Sequence, residues 1–181
     1  MNSASEKLSK KAGWNVNGMN LKKYDLEELL LAALKSEVES NTVYTKIARK
    51  VKNALLKDKF FYLAKEEEKH RQYIEKIYTK TFPRKKLVLP KTTPVPIPTL
   101  IYPSEDAPLS SVLTRAMEAE LAAKEFYTYL STQFRNASIR HTLTYFADME
   151  LQHHKILEIE KESMDRFEEA DVYWPMVHAG P

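Results

Sequence analysis

Two stretches of the chain set a glutamate and a histidine three residues apart behind an aromatic residue and an alanine. In "FYLAKEEEKHRQYIEKI" they are Phe61, Ala64, Glu67 and His70, and in "YFADMELQHHKILEIE" they are Phe146, Ala147, Glu150 and His153. The offset is 83 residues at the Ala, Glu and His positions. On a helix, residues three apart share one side, so each pair can present a carboxylate and an imidazole together. Those two donors suit iron(II), manganese(II) or zinc(II). A single such pair would carry little weight, because a helix rich in Lys and Glu produces it by accident.

The repeat extends backwards. With Tyr44 set against Tyr127, Glu37 falls on Glu120, Leu30 on Leu113 and Ala33 on Ala116, again 83 residues apart. Each half thus carries a Glu, a Tyr seven later, a Glu thirty later and a His three after that. Seven residues make nearly two turns, which puts Tyr44 and Tyr127 on the faces of Glu37 and Glu120. There the phenols can hydrogen-bond ligand carboxylates or serve as core aromatics. Within the run of Glu66, Glu67 and Glu68, the spacing to His70 selects Glu67, and the repeat selects His153 over His154. Glu39 and Glu118 read as solvated or as neighbours of the ligands, and His141 and His178 as structural or exposed. Phe60, Phe61, Tyr62, Tyr73 and Tyr78 read as core or interface mass.

These residues need elements to position them. Asp25 can cap a helix through "LEELLLAALKSEVESNTVYTKIARKV", in which Leu26, Leu30, Ala33, Glu37, Val38, Asn41, Tyr44 and Ile47 keep helical spacing. A break near "KNALLKDK" turns the chain into a second helix ending near Lys80. Residues 81–108 hold seven of the nine prolines and cannot continue it. A third helix is expected from about Leu109 to Phe134, then a turn at "RNAS" with Ser138 capping a fourth that ends near Glu169. The reading is all-α: two helical hairpins joined by a long proline-rich crossover, a four-helix bundle. Residues 1–24 form an N-terminal extension, 25–169 the bundle and 170–181 a tail.

Composition narrows the function classes. With 28 basic and 25 acidic residues the net charge is +3, too balanced to argue for nucleic acid, and "PRKKLVLPK" reads as a solvated basic loop. No cysteine is present, which excludes thiolate metal sites, disulfides and cysteine nucleophiles. Only 3 glycines occur, in keeping with helices. No apolar run reaches the length of a signal peptide or a membrane span, so the expectation is a cytoplasmic protein with no membrane partner.

In a hairpin turning near residue 52, Glu37 and Glu67 sit level, and a turn near residue 135 does the same for Glu120 and Glu150. Packing the hairpins together gathers four carboxylates and two imidazoles in one interior layer. Carboxylates so confined repel and lose hydration, and two divalent ions supply the four positive charges that compensate them.

This ligand pattern resembles that of the ferritin-like di-iron superfamily, and in particular its rubrerythrin-related branch, over residues 25–169. The resemblance implies Glu37, Glu67, His70, Glu120, Glu150 and His153 as ligands to two transition-metal ions, iron foremost, with manganese or zinc as alternatives. Rubrerythrins typically add a Glu three residues after the third-helix ligand, where this chain has Ala123, and often append a cysteine-rich rubredoxin domain. The ligand set therefore moves towards the six-ligand pattern of bacterioferritin-like ferroxidase sites. The function implied is a di-iron oxidoreductase of peroxidase or ferroxidase type that reacts with hydrogen peroxide or dioxygen. Its electrons would come from an external donor such as a separate rubredoxin or reductase. The alternatives are an iron-binding or ferroxidase module and a manganese catalase-like protein. A homodimer is expected, and the long crossover would allow one helix pair to be exchanged between protomers.

Overall fold

A computed structural model describes the backbone of residues 15–16, 19–95, 100 and 108–173, and the side chains of residues 20–95, 100 and 108–166. Four helices carry it: α1 (Leu26–Lys50), α2 (Ala54–Thr81), α3 (Leu109–Thr132) and α4 (Ala137–Tyr173). A two-residue antiparallel ladder, Asn15–Val16 with Met19–Asn20, and a 3₁₀ turn over Leu21–Lys23 lead into α1. The architecture is the all-α bundle expected, with that small ladder added.

Helix starts are set by side chains that satisfy otherwise unpaired N–H groups. Asp25 accepts from the Glu28 amide while the Glu28 carboxylate accepts from the Asp25 amide, a reciprocal box at the head of α1. Two other boundaries differ from expectation. Asn53 accepts from the Leu56 amide, so the break between α1 and α2 is only residues 51–53 and "ALLKDK" is already helical. At α4 the cap is Asn136, whose side chain accepts from the Ile139 amide. Ser138 lies inside the helix, where its carbonyl accepts from the Thr142 hydroxyl. Asparagine is among the best residues at this position, and a helix that starts one residue earlier recruits it first. α4 also continues to Tyr173, beyond Glu169, and α3 stops at Thr132, short of Phe134.

The backbones pack closely within each hairpin, α1 on α2 and α3 on α4, and more sparsely between hairpins. Two apolar cores result. One joins Leu29, Leu30 and Leu34 of α1 to Ile74, Ile77, Phe126, Leu130 and Phe146, and Leu21 and Val95 belong to it. The other joins Tyr44, Ile47, Phe60, Leu63, Leu113 and Leu157, with Leu100. The bundle's core therefore reaches back to Leu21, before α1, and Val95 and Leu100 pin the connection between α2 and α3. Of the aromatics read as core or interface mass, Phe60 and Tyr78 are buried, whereas Phe61 and Tyr62 are exposed. No helix among the described residues is long and apolar enough to cross a membrane.

Candidate metal centre

Between the two apolar cores lies a polar layer. Glu37 comes from the middle of α1, Glu67 and His70 from α2, Glu120 from α3, and Glu150 and His153 from α4. All six are buried, none more than 4% exposed. The turns at residues 51–53 and 133–136 fall where the sequence needed them for each Glu to stand level with the Glu-x-x-His of its own hairpin.

The layer is pseudo-symmetric about the repeat. His70 Nδ1 lies 3.0 Å from Glu150 Oε1, 3.7 Å from Glu37 Oε2 and 4.0 Å from Glu67 Oε2. His153 Nδ1 lies 3.2 Å from Glu67 Oε1, 3.6 Å from Glu120 Oε2 and 3.1 Å from Glu150 Oε2. The imidazole centroids are 6.0 Å apart. Two overlapping groups offer ligand atoms within 4.8 Å of one another: Glu37, Glu67, His70 and Glu150, and Glu67, Glu120, Glu150 and His153. Glu67 and Glu150 belong to both, the positions that bridging carboxylates between two ions would take.

The tyrosines bind crosswise. Tyr127 of α3 donates its hydroxyl to Glu37 Oε1 on α1, and Tyr44 of α1 donates to Glu120 Oε1 on α3. In each case Oε2 is left turned towards a histidine. Both phenols are buried, so the hydrogen-bonding and core readings hold together.

Electrostatics show how poorly the layer closes on itself. Burial pushes the Glu67 carboxyl well above its ordinary range, and the charges of Glu150, Glu37 and Glu120 add to this. Burial, then Glu150, raises Glu120 to about 8 against the pull of His153. Burial works to lower His70, but Glu150 and Glu37 overcome it and raise the imidazole to about 10. His153 is also raised, since Glu120, Glu150 and Glu67 outweigh its burial. Glu150 goes the other way: burial would raise it, and the two histidines pull it below the carboxylate range. Burial and the neighbouring carboxylates hold Tyr44 and Tyr127 far up, protonated and able to donate.

Even so, the buried Nε2 atoms of His70 and His153 have no hydrogen-bond partner, and Glu37 Oε2, Glu67 Oε1, Glu150 Oε1 and His70 Nδ1 meet one another or a histidine only as ion pairs. Unpaired buried oxygens and nitrogens of this kind cost roughly 1–3 kcal/mol each, more when charged. The donor set fits a pair of divalent cations, which would engage these atoms and balance four carboxylates with four charges.

The other candidates fall outside the layer. Glu66 pairs with Lys69, Glu68 with Arg71 and Glu39 with Lys35, while His154 Nδ1 lies 3.0 Å from the Met117 carbonyl. Glu118 and His141 are exposed, and His178 lies outside the described residues. Ala123 is half-buried, and among the described residues no additional carboxylate joins the two ligand groups.

A ferritin-like bundle with a buried glutamate and histidine layer defines a class of proteins with dinuclear carboxylate sites. The rubrerythrin family profile matches residues 28–109 and 111–176, and the chain belongs to that family. Among solved structures, a hypothetical protein from Pyrococcus furiosus is similar to it, with 32% identity and a TM-score of 0.74 over 81% of this chain and 94% of that one. No curated protein sequence matches.

Proposed function

We propose that the chain is a di-iron oxidoreductase that reacts with hydrogen peroxide or dioxygen and is refilled by an external electron donor. Its two ions would be held by Glu37, Glu67, His70, Glu120, Glu150 and His153. One observation carries the reading: six buried donor side chains form two overlapping ligand groups around shared Glu67 and Glu150, and the Nε2 atoms of both histidines are buried with no hydrogen-bond partner. When bound, two iron(II) ions supply the two electrons that, with two protons, reduce one peroxide to two waters.

The chain's own residues do the rest. Tyr44 and Tyr127 fix one oxygen of Glu120 and of Glu37, which leaves the other free to bind metal. The apolar cores above and below keep bulk water from the layer. This stretch holds no cysteine and hence no thiolate-bound relay, so in this reading electrons come from an external donor such as a rubredoxin or a reductase.

A second reading has an observation of its own. The third-helix position that would hold an extra ligand is Ala123, and the six-residue set that remains favours a ferroxidase or iron-handling module. Anaerobic titration of the iron(II)-loaded protein with peroxide tests the first. It should consume on the order of one equivalent per dinuclear site and then stop until a donor is added. Sustained oxygen release from peroxide without a donor would overturn it in favour of manganese catalase-like chemistry. Continued iron(II) oxidation beyond two ions per chain would favour the ferroxidase reading.

A further inference from the structure

The buried layer is closed on most sides and approached on one. Towards α1 and α3, the Tyr44 and Tyr127 hydroxyls cap Glu120 and Glu37. Over His70, the Phe146 ring lies 4.1 Å away, centroid to centroid, and the Tyr127 ring 6.1 Å. Here the repeat breaks: the residue 83 positions before Phe146 is Leu63, so His153 has no such aromatic lid. The ring beside His153 is Tyr62, edge-on at 6.4 Å and 47% exposed.

At that point a cleft of about 240 Å³ is lined by Tyr62 of α2 and by Tyr145, Asp148, Met149, Gln152 and His153 of α4. Among the described residues, the side chains of Tyr62, Tyr145, Asp148 and Gln152 form no hydrogen bond or ion pair with protein. Lys69 senses both tyrosines but is held by Glu66, which leaves Asp148 as the uncompensated charge of the lining. His153, 1% exposed, turns Nδ1 to the carboxylates while its Nε2 has no partner.

We propose that this cleft is the port through which the centre exchanges with solvent, and that its passenger is a hydrated divalent cation. Asp148 draws the ion in, and the neutral oxygens of Tyr62, Tyr145 and Gln152 replace part of its hydration shell on the way to His153. The two metal positions are then unequal. The ion held by Glu67, Glu120, Glu150 and His153 arrives last and leaves first, and the ion under Phe146, held by Glu37, Glu67, His70 and Glu150, is retained. This rests on the reading of the six residues as ligands to two ions.

Manganese(II) tests it without reference to turnover. The full chain loaded with manganese(II) is mixed with a chromophoric chelator in a stopped-flow instrument, and electron paramagnetic resonance follows the ions that remain. Release should come in two phases of equal amplitude, with the coupled-pair signal giving way to a single-ion signal after the first. Tyr62→Trp, which fills the cleft from an exposed position, should slow the fast phase roughly tenfold and leave the slow phase alone. Asp148→Asn should slow manganese(II) uptake at unchanged final stoichiometry. Release in one phase overturns the proposal, as does a fast phase that Tyr62→Trp leaves unchanged or an uptake rate that Asp148→Asn leaves unchanged. A chain that takes up no manganese(II) or iron(II) at all overturns the ligand reading beneath it, which separates the two failures.

Discussion

Loading metal into the metal-free protein should expel protons in a number that the layer itself fixes. Near neutral pH, Glu120, His70 and His153 hold protons, because burial and Glu150 raise the carboxyl and the surrounding carboxylates raise the two imidazoles, and burial with the neighbouring carboxylates shifts Glu67 in the same direction as Glu120. Metal ligation requires carboxylate and neutral imidazole, so each group must give up its proton. Binding of two ions should therefore release about three protons at roughly pH 7 from Glu120, His70 and His153, with any proton on Glu67 adding to them, and the overall two-ion binding constant should rise steeply with pH there. By about pH 9, Glu120, raised only to about 8, has already ionised and the release should fall by about one. Calorimetric titration with manganese(II) in two buffers of different ionisation enthalpy reads the number directly. Release of fewer than one proton near pH 7 would mean that the carboxylates are ionised and the imidazoles neutral before metal arrives, and would refute the electrostatic picture of the layer.

Two further outcomes follow. The metal-free chain should melt at its highest temperature in mild acid. Glu120 and Glu67 (ordinary value 4.5) and His70 (ordinary value 6.5) bind protons more tightly when folded, so their stabilisation is complete below those values. It is lost as pH rises towards about 8 for Glu120 and about 10 for His70, whereas lowered Glu150 loses its contribution only at the acid end. A melting temperature flat from about pH 5 to 9 would count against this. Tyr44→Phe and Tyr127→Phe should each leave a buried carboxylate oxygen unpaired, cost about 1–3 kcal/mol in the metal-free protein and weaken metal binding roughly 10–100-fold, as read by denaturant melts and competition with a chelator.

Much of this centre could be read from spacing alone. The 83-residue repeat picks out Glu37, Glu67, His70, Glu120, Glu150 and His153, and the structure brings all six into one buried layer. Asp25 was readable as a cap because it stands just before the helically spaced apolar run, while its reciprocal bond with Glu28 came only with the structure. Ser138 was misread because Asn136 and Ser138 both belong to the capping class, and composition does not say which N–H groups come first. The partners of the tyrosines were beyond one-dimensional reading. Tyr44 lies about 10 Å along the axis from Glu37, too far to reach it, and its hydroxyl goes to Glu120 in the other hairpin. Residue type left Phe61 and Tyr62 open between core and interface, and their place next to buried Phe60 and Leu63 on α2 turns them outward. The inequality of the two histidines turns on one substitution between repeats, Phe146 against Leu63, whose effect appears only when the rings are placed.

Metal content tests the whole account. After anaerobic reconstitution with iron(II) and removal of loosely bound ions, elemental analysis should give close to two irons per chain, as the two overlapping ligand groups require. Glu37→Ala and Glu120→Ala should each lower that figure. A folded chain that retains no stoichiometric metal, or that holds two irons undiminished when both glutamates are replaced, would contradict a dinuclear centre built from these six residues.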